Sequence, residues 1–264
     1  MLRAISVVLA MIAAFLPGAP AKAGTSNVGK VVVVAAAADA KFAFDEIVAA
    51  FEKDHPEITV QVSYGSSGNF YAQLSQRAPF DIFFSADLAY PKKLVEAGFA
   101  LPDSEFTYSI GKIVLWARTN SAVDPKVEKI KALTNSPIKK IAIANPEHAP
   151  YGKAAVAAMQ KLGVYEAVKG KLVYGENIGQ AAQFAECGAA DIGIIALSLA
   201  MAPAMKAKGT YWEIPMDAYP RLEQAGVILS WARNLPETKE FKNYVLSEPG
   251  KQILRRYGLS IPGE

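Results

Sequence analysis

Four short stretches of this 264-residue chain combine small, turn-forming and hydroxyl-bearing residues: Ala36-Ala37-Ala38-Asp39, Tyr64-Gly65-Ser66-Ser67-Gly68-Asn69, Asn145 to Gly152, and Gly175-Glu176-Asn177. Each lies between an apolar run and an amphipathic one. A helix that starts at such a place presents backbone N–H groups without an intrahelical acceptor, together with the positive end of its dipole, and this suits an anion. Gly65 and Gly68 let backbone come close to a ligand, while Ser66 and Ser67 add hydroxyl donors. The same serines are equally suited to capping the helix that follows.

Other chemistry-bearing residues have plainer explanations. His148 lies in Pro146-Glu147-His148-Ala149-Pro150, a loop held by two prolines, and is expected to be a structural or solvated residue. Cys187 follows a helical stripe and is expected to be a buried, inert thiol. Trp116, Trp212 and Trp231 fit packing better than a stacking platform. Asp81 and Asp87 flank Phe83-Phe84-Ser85 as a pair of carboxylates would, but strand-end turns account for them as well. Two histidines, His55 and His148, and one cysteine make a His/Cys metal site improbable. The sequence lacks a Gly-x-Ser-x-Gly elbow, a His-Glu-x-x-His pair and a phosphate loop ending in Gly-Lys-Ser/Thr, and no Gly-x-Gly-x-x-Gly follows the first strand. An enzyme is therefore not expected.

The elements that must position the four stretches alternate in type. Val31-Val32-Val33-Val34 has no polar alternation, as in a parallel strand covered on both faces. Phe44, Ile47, Val48 and Phe51 then recur at helical spacing, and His55-Pro56 closes the helix. Further strands are expected at Ile58 to Ser63, Asp81 to Ser85, Ile113 to Ala117, Lys140 to Ala144, Leu172 to Tyr174 and Ile192 to Ala196, with helices starting near Asn69, Gly152 and Ile178. This order predicts an α/β fold with parallel sheets.

The length favours two lobes. The pattern changes near Tyr108-Ser109-Ile110-Gly111 and again where Tyr211 to Ile214 and Val227 to Trp231 read as paired strands. The expected division is lobe one over 24–109, lobe two over 110–226, and a return to lobe one over 227–264, with helices around Phe241 to Leu246 and Ile253 to Tyr257. In open sheets of this kind ligands sit beyond the carboxyl ends of the strands, so the four helix starts would face one gap.

Residues 1–23 read as a secretory signal peptide: Arg3, an apolar stretch of 13 residues from Ala4 to Leu16, a Pro17-Gly18 break, and Ala21-Lys22-Ala23 before Gly24. The apolar stretch is shorter than the roughly 20 residues of a membrane span. No cysteine stands at the cleavage point to carry a lipid, so a soluble periplasmic protein is expected. A composition 52% hydrophobic and 20% charged excludes intrinsic disorder. The formal charge of +3 drops to +1 without Arg3 and Lys22, which argues against nucleic acid as a partner. With a single cysteine, no intramolecular disulfide can form, so stability must come from the core.

Taken in order, Val34 to Ala38, Ser66-Ser67 with Phe80-Asp81-Ile82-Phe83-Phe84-Ser85-Ala86-Asp87, Asn145-Pro146-Glu147-His148-Ala149-Pro150-Tyr151-Gly152, and Gly175-Glu176-Asn177-Ile178 resemble the periplasmic molybdate-binding proteins of ATP-binding-cassette importers. The resemblance covers nearly all of the chain after residue 23. It implies a type II periplasmic binding protein fold: two lobes, each a mainly parallel sheet flanked by helices, joined by a two-strand hinge. It also implies a monomer without cofactor that closes on molybdate or tungstate and docks on a membrane permease served by its ATPase. Carried over by position, the oxyanion donors fall on Ala38, Asp39, Ser67 (backbone and hydroxyl), and the backbone N–H groups of Tyr151 and Ile178.

Two positions depart from that pattern. Many members carry a hydroxyl residue at the position of Ala38, in some followed by asparagine where Asp39 stands, and a tyrosine at the position of Ala196. A carboxylate about 5 Å from a dianion would cost on the order of 6 kcal/mol at an effective dielectric near 20. Three resolutions follow. Asp39 caps the next helix; or it accepts a proton from a protonated oxyanion such as hydrogen phosphate or arsenate; or the ligand differs, a metal cation included. A sensor subunit in place of a transport subunit, and a hydrolase on the same scaffold, are the rival functions.

Overall fold

The computed structural model describes residues 30–264; the expected signal peptide and its cleavage point lie outside the described residues. The chain runs through β1 (Lys30–Ala37), α1 (Lys41–Asp54), β2 (Ile58–Gly65), α2 (Ser67–Leu74), β3 (Ile82–Ser85), α3 (Ala89–Glu96) and β4 (Phe106–Gly111). It then crosses to β5 (Ile113–Arg118), α4 (Pro125–Glu128), β6 (Ile141–Ala144), α5 (Pro150–Lys161), α6 (Tyr165–Val168) and β7 (Leu172–Gly175). There follow α7 (Ile178–Cys187), β8 (Ile192–Ala196), α8 (Leu197–Ala200), α9 (Pro203–Lys208) and β9 (Gly209–Glu213), before β10 (Leu222–Ile228), α10 (Leu235–Leu246) and α11 (Glu248–Arg256).

These strands form two five-stranded sheets, ordered β2-β1-β3-β10-β4 and β7-β6-β8-β5-β9. In each, three strands are parallel and the remaining two join through antiparallel pairs. The fold is the expected two-lobe α/β architecture with mainly parallel sheets. The crossings fall between Gly111 and Ile113 and between Glu213 and Leu222. One sequence reading needs correction here. The segments at 211–214 and 227–231 do not pair with each other: β9 pairs with β5 in the second sheet, whereas β10 pairs with β3 and β4 in the first. β10 also begins at Leu222, ahead of the expected return at 227. Polar Glu223 and Gln224 hide the start of this strand from a search for apolar runs.

The first lobe is built around an aromatic cluster. Phe44 of α1 meets Phe84 of β3 edge to face at 4.7 Å, and Phe51 meets Phe241 of α10 at 5.3 Å. Helices α10 and α11 thereby return the end of the chain to the first lobe, with Val245, Ile253 and Leu254 in the same core as Val32 and Val34. In the second lobe β5, β6 and β8 are buried along almost their whole length, sandwiched by α5 and α7. This double cover explains their uninterrupted apolar sequences. Among the described residues no helix is long and apolar enough to cross a membrane.

Candidate functional site

The four stretches converge. One small cavity is lined by Ala37, Ala38 and Asp39 after β1, by Gly65, Ser66 and Ser67 after β2, and by Ala86 after β3, all from the first lobe. Ala149, Pro150 and Tyr151 at the start of α5 and Ile178 at the start of α7 close it from the second. The cavity is small and suits a single compact guest. No lysine or arginine lines it. Ser67, Tyr151 and Ile178 occupy first helical turns, where the backbone N–H has no carbonyl one turn back to bond.

Local chemistry fixes each turn. Ser66 is the cap of α2, its hydroxyl accepting from the Asn69 N–H at 3.4 Å, so the capping reading holds for this serine. Ser67 is different: its buried Oγ accepts from the Ala86 N–H at 2.9 Å, leaving its own hydrogen to donate elsewhere. Asn177 caps α7 by accepting from the Gln180 N–H at 3.0 Å, and Pro150 occupies the first turn of α5, where a missing N–H costs nothing. Gly68 is required by a close approach: a Cβ there would lie 2.5 Å from the His148 carbonyl oxygen, which accepts the Gly68 N–H at 2.9 Å.

Asp39 does not cap a helix. The short 3₁₀ turn Ala38–Ala40 runs directly into α1, and neither has a side-chain cap. Its carboxyl group turns inward, where Oδ2 accepts from the Tyr151 hydroxyl at 2.9 Å and from Gln224 Nε2 at 2.6 Å. The Tyr151 oxygen in turn accepts from the same Gln224 nitrogen at 3.1 Å, and Ser109 Oγ donates to Gln224 Oε1 at 2.6 Å. Oδ1 of Asp39 is buried and has no partner. Burial pushes the Asp39 carboxyl up to about 6, against the opposing effect of Gln224, Tyr151 and its own backbone N–H, and burial followed by the Asp39 charge pushes the Tyr151 phenol well up. The Asp39 carbonyl accepts from Ser198 Oγ at 2.7 Å.

Gln224 and Ser198 were missed by sequence reasoning. A glutamine just ahead of the apolar run Ala225 to Ile228 was the available signal for the first; nothing local marks Ser198. Gln224 reaches the site because β10 bulges against β4 between Gln224 and Ala225, next to Gly111, where a Cβ would lie 2.1 Å from the Tyr151 oxygen.

The remaining candidates lie elsewhere. His148 joins the lobes, its Nδ1 hydrogen-bonded to Ser66 Oγ at 2.9 Å, outside the cavity lining. Trp116 is fully buried and Trp231 donates to the Ala78 carbonyl at 3.1 Å, both packing roles. Asp81 and Asp87 are not a pair: Asp81 accepts the Val33 and Arg233 N–H groups, whereas Asp87 caps the turn at Tyr90. Cys187 is exposed, contrary to expectation, because it lies off the stripe of Ile178, Ala181, Ala182 and Ala185 that faces the sheet. Among the described residues no group of three or more metal-ligating side chains exists.

Two lobes closed over a small cavity at helix N-termini define a class: a hinged receptor for a compact solute. Residues 32–260 match the family model of the bacterial extracellular solute-binding proteins, and the chain belongs to this family, which is one of binding proteins and not of enzymes. It is 42% identical over 200 residues to the molybdate-binding protein ModA of Rhodobacter capsulatus, covering 76% of this chain and 77% of that one. Identity to ModA of Azotobacter vinelandii is 38% over 232 residues, covering 87% and 90%. The solved structure of the Azotobacter vinelandii periplasmic molybdate-binding protein superposes with a TM-score of 0.81 at 32% identity, over 88% of this chain and 99% of that one.

Proposed function

We propose that this protein captures molybdate or tungstate between its lobes in the periplasm and hands the closed complex to the permease of an ATP-binding-cassette importer. The observation that carries the reading is the cavity itself: uncharged donors at helix starts from both lobes meet at one small space, with no cation lining it. Several partial positive charges spread over backbone N–H groups hold a dianion without a full counter-charge, and the narrowness of the space selects by size. Ala38, Asp39, Ser67, Tyr151 and Ile178 are the proposed ligand-binding residues. The names of the relatives in Rhodobacter and Azotobacter support the choice of oxyanion.

In this reading the open lobes admit the ion, the helix starts replace its hydration shell, and binding shifts the hinge toward closure. The protein acts as a monomer, exported by a signal peptide removed near Ala23, with no catalytic role of its own. A second reading has a specific observation behind it. The Asp39 carboxyl beside the cavity would favour an oxyanion that brings its own proton, such as hydrogen phosphate or arsenate. A thermal-shift panel of molybdate, tungstate, sulfate, phosphate, arsenate and ferric ion separates the two. Molybdate and tungstate should give the largest rise in melting temperature. No shift with either at millimolar concentration, or a larger one with phosphate, overturns the assignment.

A further inference from the structure

We propose that Asp39 carries a proton whenever a fully deprotonated oxyanion is held, presenting it from Oδ1 as a hydrogen-bond donor to the guest, so that capture of the dianion takes up one proton from solution. The inference rests on the oxyanion reading above and adds a role for the one acid in the site.

The hydrogen-bond directions place that proton. Gln224 is oriented by Ser109, whose hydroxyl donates to its Oε1, so Nε2 faces Asp39 and Tyr151. The Tyr151 oxygen accepts from that amide, and its own hydrogen goes to Asp39. Oδ2 therefore receives two donors and has no need of a proton. Oδ1 is buried without a partner, in a residue that lines the cavity, and a buried acceptor left bare is costly. Protonated, the same atom becomes a hydrogen-bond donor.

Nothing nearby offsets a negative charge with a positive one. The titratable groups facing Asp39 are the phenols of Tyr151 from α5 and Tyr108 from β4, both pushed well above their ordinary range, chiefly by burial and then by Asp39 itself. Tyr219 and Asp87 stand one layer further out, each acting on one of those phenols. Lys41, the nearest cation in sequence, is paired with Asp45 on the surface. Elements α7, α8 and β10 offer only Ile178, Ser198 and Gln224. Burial outweighs the hydrogen bonds that oppose it and already holds the carboxyl near 6, and a dianion a few ångströms away can only raise it further.

The balance is simple: one H⁺ moves from buffer to Oδ1, and no bond of the oxyanion breaks. Molybdate has no proton to give at neutral pH, so the proton must come from solvent. Hydrogen phosphate would bring its own and need none.

Calorimetric titration of the purified protein with sodium molybdate, in pairs of buffers matched in pH but different in ionisation heat, tests this. Near pH 7.5 the wild-type protein should take up about one proton per ion bound, and its affinity should fall about tenfold per pH unit above neutrality. Asp39→Asn should bind with no proton uptake and little dependence on pH. Wild-type binding of molybdate that is flat with pH and takes up no proton overturns the proposal while leaving the oxyanion reading intact. Failure of wild type and Asp39→Asn to bind any oxyanion overturns both.

Discussion

Two sets of hydrogen bonds tie one lobe to the other, and they differ in how much water they meet. The inner set joins Asp39, Tyr151, Gln224 and Ser198, all buried. The outer set joins Ser66 to His148, Gly68 to the His148 carbonyl, and Asn69 to the exposed Glu176 at 2.8 Å. A partner lost from the outer set is replaced by water when the lobes part. A partner lost from the inner set leaves a buried polar atom bare, and the closed form bears the full desolvation cost. The inner set should therefore govern the strength of closure, and the outer set should add orientation at little energetic consequence.

The sharpest break of this comparison is Gln224→Leu, which strips one donor from Asp39 and Tyr151 and leaves the Ser109 hydroxyl without its acceptor. A loss of about 3 kcal/mol is expected, read as a fall in denaturation midpoint at neutral pH. An unchanged midpoint would show that the inner network is slack.

Titration should follow with an effect of similar or slightly smaller size. The folded Asp39 carboxyl is raised to about 6 from its ordinary 3.8, so the folded state holds a proton that the unfolded chain has already released. Stability should fall as pH rises between those values, by about 3 kcal/mol at most, and level off above 6. Asp39→Asn should remove that slope in pH-dependent denaturation, which a slope unchanged by the substitution would contradict.

Ser67→Ala sharpens the view of the cavity. It removes a hydroxyl that accepts from the Ala86 N–H and is free to donate to a guest, and should weaken molybdate binding about ten- to a hundredfold by equilibrium titration. At the low end stands Glu176→Gln in the outer set, which keeps an acceptor for Asn69; a change of less than about 0.5 kcal/mol in stability or binding is expected. A larger loss there would mean that the rim, too, is dry when the lobes close.

Much of this was legible before any fold was known. The four helix starts announce themselves through capping and turn residues, whose preference for those places is a matter of neighbouring backbone groups. The aliphatic runs of β1, β5, β6 and β8 declare double cover in the same way. What stayed hidden depends on partners far along the chain. Asp39 reads as an N-cap because aspartate ahead of a helix usually is one, yet its donors come from residues 112 and 185 positions away. Cys187 sits two residues beyond buried Ala185 but points past the sheet, a matter of rotation that the apolar stripe only hints at.

The sequence by itself determined the kinds of element, their order, and the places where free N–H groups would gather, since these arise from contacts within a few residues. Only the tertiary structure decided which loops meet, that β9 and β10 part into different sheets, and that a buried aspartate lines the same small pocket as the helix starts. The reason is physical: burial and long-range hydrogen bonding set the charge of Asp39, and neither exists until the two lobes have packed around it.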